Sequence, residues 1–209
     1  MKKLLFIALL SLISFQLTSC KTEKKSEDNK ENVKKQVKVA PYSLKTAQNT
    51  IGWTAYKTTD KVGVNGEFKK VNITNNGEGN TAKEAINNVE FSIPVSSLFT
   101  NLSDRDYKLK KFFFGVMDNT KLLSGKITLT DDKTGIATIT MNSVTAELPF
   151  TYTLVEKKFQ LNATMNLDNW NGQKAVESIN DVCKELHKGA DGISKTWSEV
   201  AINIHTTFK

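Results

Sequence analysis

The chain has 209 residues, a formal net charge of +7, two cysteines and two histidines. Lys2 and Lys3 carry two of those charges, and residues 21–40, with seven lysines against four acidic residues, carry three more, which leaves only about +2 on the rest. A nucleic-acid binder is excluded on that balance, because the main body has no basic stripe and a single arginine, Arg105, to read bases. A disulfide-stapled miniature fold is excluded by the cysteine count.

The N-terminus begins Met1-Lys2-Lys3 and continues through a short run of Leu, Ile, Ala and Phe to Leu17-Thr18-Ser19-Cys20. A basic start, a brief apolar stretch and small residues before a cleavage point predict a secretory signal peptide over residues 1–19. The run is too short and wrongly flanked for a good spanning helix. Leu17 to Cys20 resembles a bacterial lipobox, which makes Cys20 the lipid-bearing first residue of the mature chain. Cys183 is then alone, and no intrachain disulfide can form. Residues 21–40 hold almost no apolar side chains, so residues 20–40 are expected to be a lipidated cysteine and a disordered basic tether. Such a tail is attracted to anionic headgroups beside its own anchor. These features predict a bacterial cell-envelope location. Lys21, rather than an aspartate, follows the cysteine, which favours the outer membrane by resemblance to bacterial sorting rules.

Residues 41–209 are expected to form one domain. Strand signals dominate it, because apolar and polar residues alternate with a period of two. Ile51, Trp53 and Ala55 open the series. Val62, Val64 and Phe68 follow and, after a phase slip at Lys69-Lys70 that suggests a bulge, Val71 and Ile73. Further alternation runs through Val89 to Ile93, Ile127 to Leu129, Ile139 to Met141, Val144 to Leu154, Phe159 to Leu167 and Val200 to Ile204. The stretches from Asp131 to Gly135 and from Glu156 to Lys158 predict hairpin turns. About eight strands with short connections predict an all-β, antiparallel, eight-stranded barrel, with a two-sheet sandwich as the alternative.

Two segments break the pattern and predict one or two short α-helices. Ser103 is a candidate N-cap, with Asp104 and Asp106 in the first turn. Between Gly172 and Gly189, Ala175, Val176, Ile179, Val182, Cys183 and Leu186 recur at helical spacing. Catalysis finds no support, since neither His187 nor His205 joins a nucleophile motif. Cys183 and His187 have half of a metal-site spacing and no second pair, so neither a metal nor a cofactor is expected.

The stretch Ser103 to Phe114, SDRDYKLKKFFF, carries the most information. Arg105-Asp106-Tyr107-Lys108-Leu109 followed by Phe112-Phe113 is similar to the R-D-x-H-L…F-F pattern of the YceI-like lipid-binding family. Tyr42-Ser43-Leu44, Val64 to Val71 and Val89 to Ile93 resemble the same family. The resemblance covers Pro41 to Leu167 and resumes at Trp197. Lys108 departs from the usual His, Asn142 to Ala146 replaces a Gly-Val-Thr-Lys-like turn, and the segment from Gly172 to Gly189 is longer than the usual connection.

The resemblance implies a lipocalin-like barrel whose interior holds a polyisoprenoid or similar amphiphilic chain as carrier, store or sensor. The alternative is a structural or adhesive envelope domain without ligand. The apolar lining is expected to include Trp53, Phe68 and Phe91 on early strands, and Phe99, Phe112 and Phe113 near an opening. Ile127, Leu129, Met141 and Phe150 are expected to continue it, with Leu161, Met165 and Ile202. Arg105 has two readings. It contacts a ligand headgroup, or it pairs with Asp104 or Asp106 to pin its segment over the barrel. The adjacent aspartates favour the pin.

Overall fold

The computed structural model describes residues 40–209. The expected signal peptide, lipidated Cys20 and tether lie outside the described residues. The strands are β1 (Tyr42–Ser43), β2 (Gln48–Lys57), β3 (Val62–Phe68), β4 (Asn72–Asn75), β5 (Glu78–Gly79) and β6 (Glu90–Pro94). They continue with β7 (Leu98–Phe99), β8 (Leu122–Leu129), β9 (Thr134–Met141), β10 (Val144–Val155), β11 (Lys158–Asn166) and β12 (Thr196–Thr207). All pairings are antiparallel. The large sheet runs β4-β6-β8-β9-β10-β11-β12-β2-β3-β7, and β1 pairs with β5 beside it.

The two ends of that sheet belong together. β3 and β4 are two halves of one chain segment, bent at Lys69-Lys70. The first half pairs with β2 and the second with β6. β6 and β7 are likewise consecutive, and β7 returns to β3 through Phe68↔Leu98 and Glu67↔Phe99. Lys69 N–H donates to the Ser97 carbonyl at 3.0 Å between these ladders. The sheet thus curls into an eight-stranded barrel whose seam is the phase slip seen in the sequence. A bend there lets one segment serve both neighbours without leaving an edge.

Turn chemistry fixes the hairpins. Asn142 and Ser143 both have φ near +55° (53° and 56°), the two-residue turn whose twist suits antiparallel strands. The Asp131 carboxylate accepts from Lys133 N–H and Thr134 N–H, each at 2.7 Å. Gly135, expected as part of that turn, lies instead in β9. There it pairs with Phe150, whose ring occupies the space a Cβ would need.

Helices close the two ends differently. At one end, α1 (Ala82–Ile86) forms a floor with Ala85 and Ile86 buried against Val89, Leu44 and Phe159. Thr81 caps it by accepting from Glu84 N–H at 3.1 Å. This helix was not among the sequence expectations. At the other end lie α2 (Ser103–Lys108) and α3 (Gln173–Val182). Helix α2 widens into a π-type turn over Leu109–Phe113 and tightens into a 3₁₀ turn over Phe114–Val116.

Two expectations for this end are corrected. Leu102, not Ser103, is the cap residue of α2, and it makes no side-chain cap bond. The Asp106 carboxylate ties the segment down instead, accepting from Thr100 N–H at 2.8 Å and Thr100 Oγ1 at 2.6 Å. The helix expected to reach Gly189 stops at Val182, and the chain tightens into a 3₁₀ turn over Lys184–His187. Fully buried Trp170 fixes the start of α3, its indole N–H donating to the Ile139 carbonyl at 2.9 Å.

Glycine 66 tests the packing logic. Trp53 sits directly opposite it, and an added Cβ would lie inside the indole. Gly66→Ala should lower stability by about 1–3 kcal/mol through overpacking. Urea unfolding of the variant beside wild type checks this, and an unchanged midpoint would contradict the close approach.

Candidate functional site

A cavity of about 670 Å³ occupies the barrel interior. Both Thr196 and Ile204 of β12 line it, and a strand of that length in a barrel tilted by about 40° makes a channel roughly 20 Å deep. Below the rim the wall is hydrocarbon: Ile51, Ile127, Met141, Leu161 and Ile202 face it from five strands.

An eight-stranded barrel has just enough width for either its own side chains or one slim ligand. Three cross-strand pairs keep this one open. Trp53 faces Gly66, Phe91 faces Gly125 and Phe150 faces Gly135. In each pair the ring fills the place of the missing side chain, so it lies along the wall rather than across the lumen. The indole N–H of Trp53 is buried there without a hydrogen-bond partner.

Polar side chains gather at the helical end. Ser103, Asp104, Arg105 and Lys108 line the cavity from α2, Lys57 from the end of β2, and His187 and Thr196 from the far side. Leu102 and Leu186, both more than half exposed, flank this mouth. Most of the polar groups satisfy one another. Lys108 Nζ bonds Asp104 Oδ2 at 2.7 Å, which raises the lysine pKa. Lys57 Nζ donates to the Leu186 carbonyl at 2.8 Å. His187 Nδ1 is 2.7 Å from Thr196 Oγ1. Burial, and then the nearby Lys57 charge, hold the His187 imidazole below its ordinary pKa. Burial also pushes the Cys183 thiol up, against the opposing pull of Lys108. Among the described residues no three His, Cys, Asp or Glu side chains gather as a metal site.

A family model for the YceI-like domain matches residues 42–208. The chain belongs to the YceI-like family. Among solved structures, this YceI-like chain resembles a polyisoprenoid binding domain from Saccharophagus degradans implicated in plant cell wall breakdown. The TM-score is 0.57 at 11% identity, over 81% of this chain and 98% of that one. Burkholderia cenocepacia BcnA aligns over 76% of this chain and 94% of its own, at 15% identity and a TM-score of 0.49. At 11% identity the likeness to the S. degradans domain shows the fold alone. No curated protein matches the sequence significantly.

The YceI-like barrel sorts the residues singled out from the sequence. Trp53, Phe68, Phe91, Phe113, Ile127 and Met141 line the cavity, as do Phe150, Leu161, Met165 and Ile202. Three do not. Phe99 lies on the short β7 at the barrel's outside, with Lys69 Nζ 4.4 Å from its ring centre. Phe112 points away from the lumen and packs edge-on against Tyr107 at 6.3 Å, because a helical turn cannot aim three successive rings inward. Leu129 packs into the core near the floor, its N–H bonded to Asn87 Oδ1. Phe114, part of the phenylalanine cluster but left out of the expected lining, is buried and lines the cavity, edge-on to Phe113 at 4.9 Å. The change of helical pitch at this point turns both rings the same way.

The expected ion pair of Arg105 is corrected. Asp104 is taken by Lys108 and Asp106 by Thr100, and the half-buried guanidinium has no partner within bonding distance among the described residues. It borders the cavity instead. Removing it therefore orphans no buried carboxylate. Arg105→Ala should cost about 1 kcal/mol or less in ligand-free protein, and thermal unfolding of delipidated samples reads this directly. A loss of several kcal/mol would restore the pinned reading.

Proposed function

We propose that this domain holds a polyisoprenoid or other long-chain lipid in its cavity and acts without catalysis as carrier, store or sensor. The observation that carries the reading is the lumen itself, a deep hydrocarbon channel kept open by aromatic rings laid against glycines. A chain gains about 0.8 kcal/mol for each methylene it buries. A dozen methylenes supply roughly 10 kcal/mol gross, enough to offset several kcal/mol of association cost without polar contact. The polyisoprenoid-binding relative from S. degradans points to the same ligand class.

Native mass spectrometry tests the cavity. The domain from Pro41 onward should carry an extra lipid mass that is lost on denaturation. Ala55→Trp places an indole in the lumen and should abolish that mass while the protein stays folded. A homogeneous ligand-free mass for wild type, unchanged by incubation with long-chain lipids, would overturn the reading.

The lipobox-like LTSC supports a second part of the proposal, that Cys20 carries the lipid that anchors the protein in the bacterial envelope. Cys20→Ala should leave the protein soluble or unprocessed, with its domain intact. Membrane fractionation decides, since a variant as membrane-bound as wild type would exclude this anchor.

A further inference from the structure

The hydrogen-bond directions at the mouth define a chemistry that the apolar channel does not. Thr196 has one hydroxyl hydrogen, and it is committed to Asn180 Oδ1 at 2.9 Å. The same Asn180 oxygen also accepts from Ser194 Oγ at 3.1 Å. Thr196 Oγ1 therefore meets His187 Nδ1 as an acceptor, and the imidazole must supply the hydrogen of that 2.7 Å bond. Burial, and then the Lys57 charge, disfavour the doubly protonated ring. A neutral imidazole protonated on Nδ1 presents a bare lone pair on Nε2. Nε2 has no partner among the described residues, and His187 lines the cavity.

The donors around it are unequal. Lys57 is turned to the Leu186 carbonyl, and Lys108 is held by Asp104. Arg105 borders the same mouth, its guanidinium unengaged among the described residues. The one cavity is thus lined at its mouth by both an acceptor that needs a hydrogen and a donor that needs an oxygen. A hydroxyl group answers both. A capped oxygen, such as a methyl ether or ester, answers only the arginine and leaves the imidazole lone pair desolvated and unpaired.

We infer that the mouth selects chain lipids with a free hydroxyl on the head, its hydrogen donated to His187 Nε2 and its oxygen accepting from Arg105. The inference rests on the reading of the cavity as a lipid-chain site. It adds discrimination by head chemistry, which a plain hydrocarbon tunnel does not possess. A site built to receive a hydroxyl hydrogen rejects its capped analogue because the acceptor, once covered by the ligand, is left empty.

Tryptophan fluorescence of the delipidated full-length protein, titrated with hexadecan-1-ol and with hexadecyl methyl ether, measures this. Wild type should bind the alcohol about tenfold more tightly than the ether, the low end of what an acceptor left unpaired costs. His187→Phe should erase that ratio by weakening the alcohol alone. His187→Gln, which places an amide oxygen near the former Nε2, should keep most of it. Thr196→Val releases the ring to its other tautomer and should lower the ratio even if the phenylalanine variant fails to fold. Arg105→Gln should weaken both probes together. Equal affinity of wild type for alcohol and ether would overturn the inference and leave lipid binding standing. Binding of neither probe would remove lipid binding and the inference with it.

Discussion

The width of an eight-stranded barrel governs this molecule. Inward-pointing side chains can fill such a lumen, so room for one slim guest depends on how those side chains lie. Here the room is made by glycine on one strand under an aromatic ring on the next, three times around the barrel. The rings still cover backbone and contribute buried apolar area. They do so lying flat, and the space they would otherwise take remains for a guest. The orphaned indole N–H of Trp53 is a cost of that posture.

Much of the architecture was legible because alternation is a direct consequence of the strand's two-residue period. The slip at Lys69-Lys70 announced the seam, although its role in joining the two ends of the sheet follows only from the pairing of β3, β4, β6 and β7. The floor helix was missed although Thr81 and Glu84 have the spacing of a helix-capping pair. Its five residues are too few to show a helical period. Glycines inside strands were the unused signal for the cavity. Gly66, Gly125 and Gly135 each sit within an apolar alternation, where close approach of another group is the usual reason. The partner ring cannot be named until the register is known.

The mouth was harder to read. Arg105 stands between two aspartates in sequence, but on a helix adjacent residues point about 100° apart. Lys108, one turn on, meets Asp104, and Asp106 reaches back to Thr100. Sequence neighbours were thus poor guides to spatial partners. The His187 environment was invisible for a related reason. Thr196, Ser194 and Asn180 come together only because the chain turns back after the 3₁₀ segment and enters β12. Phe99 and Phe112 failed as lining residues because apolarity alone does not say which way a ring points, whereas the strand phases of Met141, Leu161 and Ile202 did.

The described chain begins at the closed end of the barrel. Tyr42 packs on Phe208 at 5.4 Å, and Leu44 lies in the floor, while the cavity opens beside Lys57 at the opposite end of β2. Floor and mouth are thus separated by the whole length of β2, and no side chain serves both. A spectroscopic label at Tyr42 would therefore report on the packing of the base and leave the rim around Lys57 and His187 free to meet a guest.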